Sequence, residues 1–212
     1  MNHCREILLI IPLTAVLLLI VGATGSAVSK RAVCADNLRR IYQAAQSYSA
    51  GNDGMIVPGY VSRGAGRRTY WAEMLLPYVS NVSDFYCPAD PSGRKGLTSN
   101  DLLPVMFDNR YVSYGINYHI SSSGKPASAA APYNINMVGD PSYVVYFGDA
   151  RALQLRATRS CWTADWNPVH EKQGANYVMA DGHAEFFTGH NPGLYDAMPG
   201  WKKDRKRWKN WR

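Results

Sequence analysis

Residues 7–50 read ILLIIPLTAVLLLIVGATGSAVSKRAVCADNLRRIYQAAQSYSA, and the division of this stretch decides the fold. From Ile7 to Ser29 there is no charged residue, and the run from Ile7 to Ala23 is almost wholly aliphatic. A helix of about 20 apolar residues spans a bilayer, so the run is adequate as an anchor and rather long for the core of a secretory signal. Small residues at Val21-Gly22-Ala23 and Gly25-Ser26-Ala27 keep a cleaved signal peptide as the alternative. Beyond it, Val33, Leu38, Ile41, Tyr42, Ala45 and Tyr48 recur near helical spacing, with Arg39, Arg40 and Gln43 on other faces. Gly51-Asn52-Asp53-Gly54 is a turn cluster that ends the pattern. The stretch therefore predicts one helix about 65 Å long, kinked at Pro12, with its first half in lipid and its second in a globular head.

Orientation by charge is ambiguous. Arg5 precedes the apolar run while Lys30, Arg31, Arg39 and Arg40 follow it, so a positive-inside count places the following part in the cytoplasm. Long following domains cross regardless of such counts, which leaves export of the head open.

The chain has 212 residues and a net charge of +7. Its last twelve, PGWKKDRKRWKNWR without the leading Pro-Gly, hold seven Lys or Arg and one Asp, so they carry +6 and the other 200 residues only +1. A uniformly basic nucleic-acid-binding domain is thereby disfavoured. Trp201, Lys202, Lys203, Arg205, Lys206, Arg207, Trp208, Lys209, Trp211 and Arg212 combine cations with interfacial aromatics, suited to anionic lipid or another polyanion, with a solvated terminus as the plain alternative. Fourteen Tyr and six Trp against five Phe form an amphipathic aromatic set, which favours interfaces over a dry core.

After Gly54 the chain turns to short apolar runs. Residues 55–57 predict a brief strand and residues 71–79 a helix ending near Pro77. Residues 111–119 (YVSYGINYH), 142–148 (SYVVYFG), 175–180 (ANYVMA) and 183–187 (HAEFF) are aromatic and β-branched and predict strands of one antiparallel sheet. Asp181-Gly182 joins the last two as a tight hairpin, a type I′ turn with positive φ at both central residues. Residues 92–108 and 121–132 predict surface loops. The organisation is an anchor or signal segment at 1–29, its amphipathic continuation at 30–53, an α+β head at 54–195 and a basic Trp-rich tail at 196–212.

Several local patterns then occur in a fixed order. Cys34-Ala35-Asp36-Asn37-Leu38 follows the apolar helix, with Tyr48 and Asn52-Asp53-Gly54 behind it; next come Tyr86-Cys87-Pro88-Ala89-Asp90 and Ser113-Tyr114-Gly115-Ile116-Asn117. His170, Gly174-Ala175-Asn176 and Ala180-Asp181-Gly182-His183 close the series. Together they resemble the pseudopilin-like family of Gram-negative bacteria, often labelled type II secretion system protein. Its members carry a prepilin-type N-terminal helix and a C-terminal His-to-Asp-Gly, prepilin processing-associated motif. The resemblance covers residues 7–188. It implies a long helix, membrane-embedded in its first half, packed on a small pilin-like α+β head with an antiparallel sheet. It further implies a structural or assembly role in the cell envelope: a single inner-membrane pass, a head exported to the periplasm or cell surface, and self-association or contact with other pseudopilins through the helix. Two departures stand out. The family places nine residues between its His and its Asp-Gly, whereas ten separate His170 from Asp181 here, and His3-Cys4-Arg5-Glu6-Ile7 lacks the Gly-Phe prepilin processing site.

Candidate chemistry is sparse. His170, Asp181 and His183, with Asp149 or His190, offer imidazole and carboxylate donors for a divalent metal, which would support a metal-dependent hydrolase. The simpler account gives Asp181 and Gly182 to the turn, His183 to a strand start and His170 to a loop-pinning hydrogen bond. Asp84, Asp90 and Asp101 lack the order of a calcium loop. There is no Gly-x-Ser-x-Gly, His-Glu-x-x-His or phosphate loop, and the sequence reads as a non-enzyme with no cofactor and no metal. His170, Asp181, Gly182, His183, Cys87, Pro88 and Asp90 stand as structural motif residues. Of four cysteines, Cys34 and Cys87 are the preferred disulfide, linking helix to head, over Cys87 with Cys161; buried free thiols are the alternative. A second functional class is an exported, surface-anchored module that holds a glycan or anionic polymer on exposed Tyr and Trp rings; it requires those rings to line a groove rather than fill the core.

Overall fold

The computed structural model describes residues 29–63, 68–90, 106–107, 110–121, 134–155, 168–171 and 174–188. The expectations for residues 7–28, the basic tail, Asp101, Cys161, His190 and nearly all of the two long loops lie outside them. Among the described residues no helix is long and apolar enough to cross a membrane.

Helix α1, Lys30–Ala50, does not run on unbroken from the apolar stretch as the single helix expected over 7–50: Ser29 is extended (φ -62°, ψ 141°) and caps it, its hydroxyl accepting the Ala32 N–H at 3.1 Å in place of a preceding helical turn. Its buried residues, Cys34, Asn37, Leu38, Ile41, Ala44, Ala45 and Ser49, recur at three and four and so share one face. Gly51 closes the helix, its N–H reaching the Ser47 and Tyr48 carbonyls. Asp53 (φ 52°) and Gly54 (φ 75°) then adopt left-handed conformations, and the Gly54 N–H returns to the Ser49 carbonyl at 2.8 Å. The chain reverses there, as the turn cluster predicts.

The expected strand at 55–57 does not form. Met55 makes a lone bridge to Asn134, and Ile56 and Val57 are both fully buried, a pattern without the in-out alternation of a strand. The next elements are a hairpin of β1 (Tyr60–Ser62) with β2 (Arg68–Tyr70), then α2 (Trp71–Leu75) and a 3-10 turn at Leu76–Tyr78. The Glu73 carboxylate accepts the Tyr70 N–H at 2.7 Å and fixes the start of α2, while Pro77 lacks the N–H that a longer helix would need. A second 3-10 turn, Val82–Phe85, leads to Cys87.

Two further short strands, β3 (Met106–Phe107) and β4 (Arg110–Tyr111), pair with each other, placing a strand at the end of the first expected loop. The expected strand over 111–119 is thus divided. Its middle forms β5 (Tyr114–Asn117), and the Asn117 side chain then accepts the His119 N–H at 3.0 Å, turning the chain into the short helix α3 (Tyr118–Ser121). A 3-10 turn at Pro141–Tyr143 replaces the start of the next expected strand, which begins later as β6 (Val145–Asp149). The remaining strands are β7 (Gln154–Leu155), β8 (Gly174–Met179) and β9 (Ala184–Thr188).

These form a five-stranded sheet in the order β7-β5-β6-β8-β9. It is mixed rather than antiparallel throughout, because β7 runs parallel to β5. After β6 the chain crosses above Gly115, where an added Cβ would lie 2.5 Å from the Ala152 carbonyl oxygen, and this close passage delivers β7 beside β5. The β8–β9 hairpin forms, with a turn other than I′. Gly182 has φ +93° but Asp181 does not have positive φ; the Gly182 N–H bonds the Met179 carbonyl and the Met179 N–H bonds the His183 carbonyl. This is a three-residue loop with a single left-handed glycine, which only one position of the Asp-Gly pair has to supply.

Helix α1 lies across one face of the sheet. Val178 and Ala180 join its Leu38, Ile41 and Ala45 in one core together with Trp71, Phe85, Tyr146 and Phe147. Ala175, Tyr177 and Met179, alternating along β8, face a second cluster with Val145, Leu155 and Phe187. Both faces of the sheet are therefore apolar. The aromatic set, read from sequence as interfacial, is largely interior among the described residues: Trp71, Tyr114, Tyr146 and Tyr177 are fully buried, and only Tyr78 is an exposed large apolar side chain.

Candidate functional site

Four residues from four separate segments meet beneath the first turns of α1. Cys34 comes from the helix, Cys87 from the segment after the second 3-10 turn, Asp149 from the end of β6 and His170 from the bridge that precedes β8. One ligand atom of each lies within 4.8 Å of those of all the others, and all four residues are buried. Cys34 and Cys87 are joined as a disulfide closing a sequence separation of 53 residues. Helix and head are thus covalently linked.

Local structure explains the convergence. Cys34 falls on the inward stripe of α1, and Asn37, one turn later, donates from Nδ2 to the Tyr86 carbonyl at 2.8 Å, docking the Cys87 segment against the helix. Asn37 also donates to the Tyr114 hydroxyl at 3.3 Å, and Arg40 adds an ion pair to Asp84 at 2.9 Å. The Asp90 N–H bonds the Cys87 carbonyl at 3.0 Å, so buried Asp90 closes a turn around Cys87, while Pro88 stays exposed between them. On the sheet side, the His170 N–H bonds the Gly174 carbonyl at 3.2 Å, holding the imidazole over the edge of β8.

The polar geometry is tight. His170 Nε2 lies 3.2 Å from Asp149 Oδ2, 3.1 Å from the Asn176 amide nitrogen and 3.6 Å from Cys87 Sγ. Asp149 Oδ2 accepts the Asn176 N–H at 2.7 Å, and Asp149 Oδ1 lies 3.7 Å from Cys34 Sγ. The disulfide sulfurs carry no proton, so Tyr114 donates its hydroxyl hydrogen to Cys34 Sγ at 3.2 Å. Asn176 Nδ2 also donates to the Arg31 carbonyl at 3.1 Å, which ties β8 back to α1. Burial pushes the Asp149 carboxyl above its usual range, opposed by the His170 contact and the Asn176 N–H. The Tyr114 phenol is raised by burial and by the neighbouring Asp149 charge.

The structure does not bring together the trio His170, Asp181 and His183. His170 pairs with Gly174 at the start of β8, and Asp181 and His183 follow its far end, about 17 Å along a strand of this length. At that end Asp181 Oδ1 accepts the His183 N–H at 3.1 Å and contacts His183 Nδ1 at 2.7 Å on the exposed hairpin tip. Gly182 supplies the left-handed turn. The sequence missed Asn37, Tyr114 and Asn176 as parts of the cluster, and named Asp149 only as an optional partner of His170. A legible signal existed: Asp149 is the one charged residue of the strand VYFGD, all five of whose residues are buried. Compared with known proteins, the chain matches no family model, no curated protein and no solved structure.

Proposed function

We propose that the chain is a membrane-anchored, pilin-like structural or assembly protein of the cell envelope, related to type II secretion or type IV pilus-like systems. The observation that supports this reading is the placement of α1. The helix begins at Lys30, just behind the uncharged run, and lays one face on the sheet while Arg39, Gln43 and Ser47 stay exposed along the other. A helix that is clamped to its head on one side and open on the other can meet further helices laterally. In this reading residues 7–23 lie in the inner membrane, the head is exported, and the basic tail contacts anionic lipid or another polyanion. No catalytic role is assigned, because the polar cluster is sealed beneath α1 and its side chains serve to join helix, loop and sheet. The glycan-binding alternative requires rings along a groove, and among the described residues Trp71, Tyr114, Tyr146 and Tyr177 pack in the core instead; the other five Trp lie outside them.

Membrane fractionation and intact-mass analysis of the chain expressed in a Gram-negative host test the proposal. A full-length product in the inner-membrane fraction is expected. A soluble product beginning near Thr24 or Val28 would overturn the anchor and leave a secreted head.

A further inference from the structure

We propose that, once the Cys34–Cys87 disulfide is reduced, the same cluster is a closed four-ligand site for one thiophilic divalent cation, zinc being the best match. The ligands are the two thiolates, His170 Nε2 and an Asp149 carboxylate oxygen. This assignment is independent of the envelope role proposed above.

Three observations carry it. The ligand set, two sulfurs with one imidazole and one carboxylate, is of the kind that suits zinc, and four protein ligands without an open position mark a structural rather than a catalytic centre. Three of the six ligand–ligand distances also fit, while the two sulfurs are bonded to each other and must part on reduction, all ligand atoms lying within 4.8 Å. Tetrahedral bonds of about 2.0 Å to nitrogen or oxygen and 2.3 Å to sulfur require ligand atoms roughly 3.3–3.8 Å apart. Asp149 Oδ2 to His170 Nε2 is 3.2 Å, Cys87 Sγ to His170 Nε2 is 3.6 Å and Cys34 Sγ to Asp149 Oδ1 is 3.7 Å. Finally, the surroundings are those of a metal site. Asp149 is held by the Asn176 N–H, Cys34 by the Tyr114 hydroxyl, and the Cys87 segment by Asn37, so each of these ligands or its segment is positioned by a neighbour. A cation at the centre would serve a buried carboxylate whose charge is otherwise costly.

Disulfide and metal use the same two sulfurs and exclude each other. Two equivalents of a thiol reductant supply the two electrons: the S–S bond breaks, two cysteine thiols form, and the reductant leaves as its own disulfide. Binding of the dication then releases both thiol protons to solvent. Reaction with a disulfide-class oxidant reverses the sequence, re-forming the Cys34–Cys87 bond and expelling the ion. Either state fastens α1 to the head at the same point.

The experiment uses the full chain in detergent, reduced anaerobically with a thiol, incubated with Zn²⁺ and desalted. One equivalent of zinc is expected in the reduced chain and none in the oxidised chain, which shares its fold and serves as the control. Replacing zinc by Co²⁺ should give the visible bands of a tetrahedral thiolate site, and bound zinc should shield Cys34 and Cys87 from alkylation. Affinity should fall at least about tenfold in His170→Ala and Asp149→Asn, and should persist in Cys4→Ser/Cys161→Ser. Because His170→Ala could unfold the head, the alkylation pattern of the unmutated reduced chain is the second readout. Absence of retained zinc, or equal retention by Cys34→Ser/Cys87→Ser, would overturn the proposal.

Discussion

Gly182 shows how a single backbone position fixes the head. Its φ of +93° disfavours any L side chain, and an added Cβ would lie 2.6 Å from the Tyr42 ring of α1. The Tyr42 hydroxyl donates to the Ala180 carbonyl at 3.1 Å, so the hairpin tip rests directly on the helix. Gly182→Ala should therefore cost about 1–3 kcal/mol in denaturant unfolding, and a loss below a few tenths would contradict this account. Tyr177 gives the opposite sign. Its hydroxyl is buried with no hydrogen-bond partner among the described residues, so Tyr177→Phe should leave stability unchanged or raise it by about 1 kcal/mol. At this scale the sequence was partly legible. The Asp-Gly pair announced a turn, but its type depends on where Met179 and His183 pair, which the dipeptide does not encode. Asp149 was harder to see as a central residue, because its neighbours in the cluster come from positions 34, 87 and 170, and only folding brings them close.

Among the elements, the buried face and the end of α1 were legible, since its three-and-four spacing and its terminal turn cluster are local signals, whereas its start was not: Ser29 caps it where the sequence predicts an unbroken helix. The spacing also makes a quantitative prediction. Ile41 is fully buried and Gln43 exposed, so Ile41→Ala should destabilise the head by about 2–5 kcal/mol and Gln43→Ala by less than about 0.5. Comparable losses at both positions in urea unfolding would mean that the helix does not lie on the sheet as described. The β5 region was less legible for a physical reason. Residues 111–119 have uniform strand propensity, yet the Asn117 side chain both donates to the Val145 carbonyl at 2.8 Å and accepts the His119 N–H, which pins the strand end and starts α3. One polar side chain there outweighs the preference of its neighbours. Strand β7 is only two residues long and owes its existence to the passage over Gly115, a tertiary effect with no sequence period.

For the whole molecule, two linkages set stability. The Cys34–Cys87 bond closes a separation of 53 residues, and in the chain-entropy account its reduction without metal removes about 4 kcal/mol. Urea unfolding of reduced protein in a chelator should show that loss, and an unchanged midpoint would contradict it. Alkaline pH supplies the second linkage. Tyr146 and Tyr177 are both held above their usual 10.0 by burial, so the folded state keeps phenolic protons that the unfolded chain gives up. Their contribution is fully present below pH 10 and is lost as pH climbs from there through the folded values, at about 1.4 kcal/mol per pH unit for each group. Ultraviolet titration should thus show these two phenols ionising together with unfolding, whereas independent ionisation of a folded head would refute the burial assigned to them.

In the proposed function the head stands outside the inner membrane, anchored by residues 7–23. The test is protease treatment of intact spheroplasts, followed by detection of the head and of a cytoplasmic control protein. Degradation of the head while the control survives is the predicted result. A head that resists protease until the spheroplasts are lysed would place it in the cytoplasm, as the positive charges after the apolar run would have it, and would contradict the account.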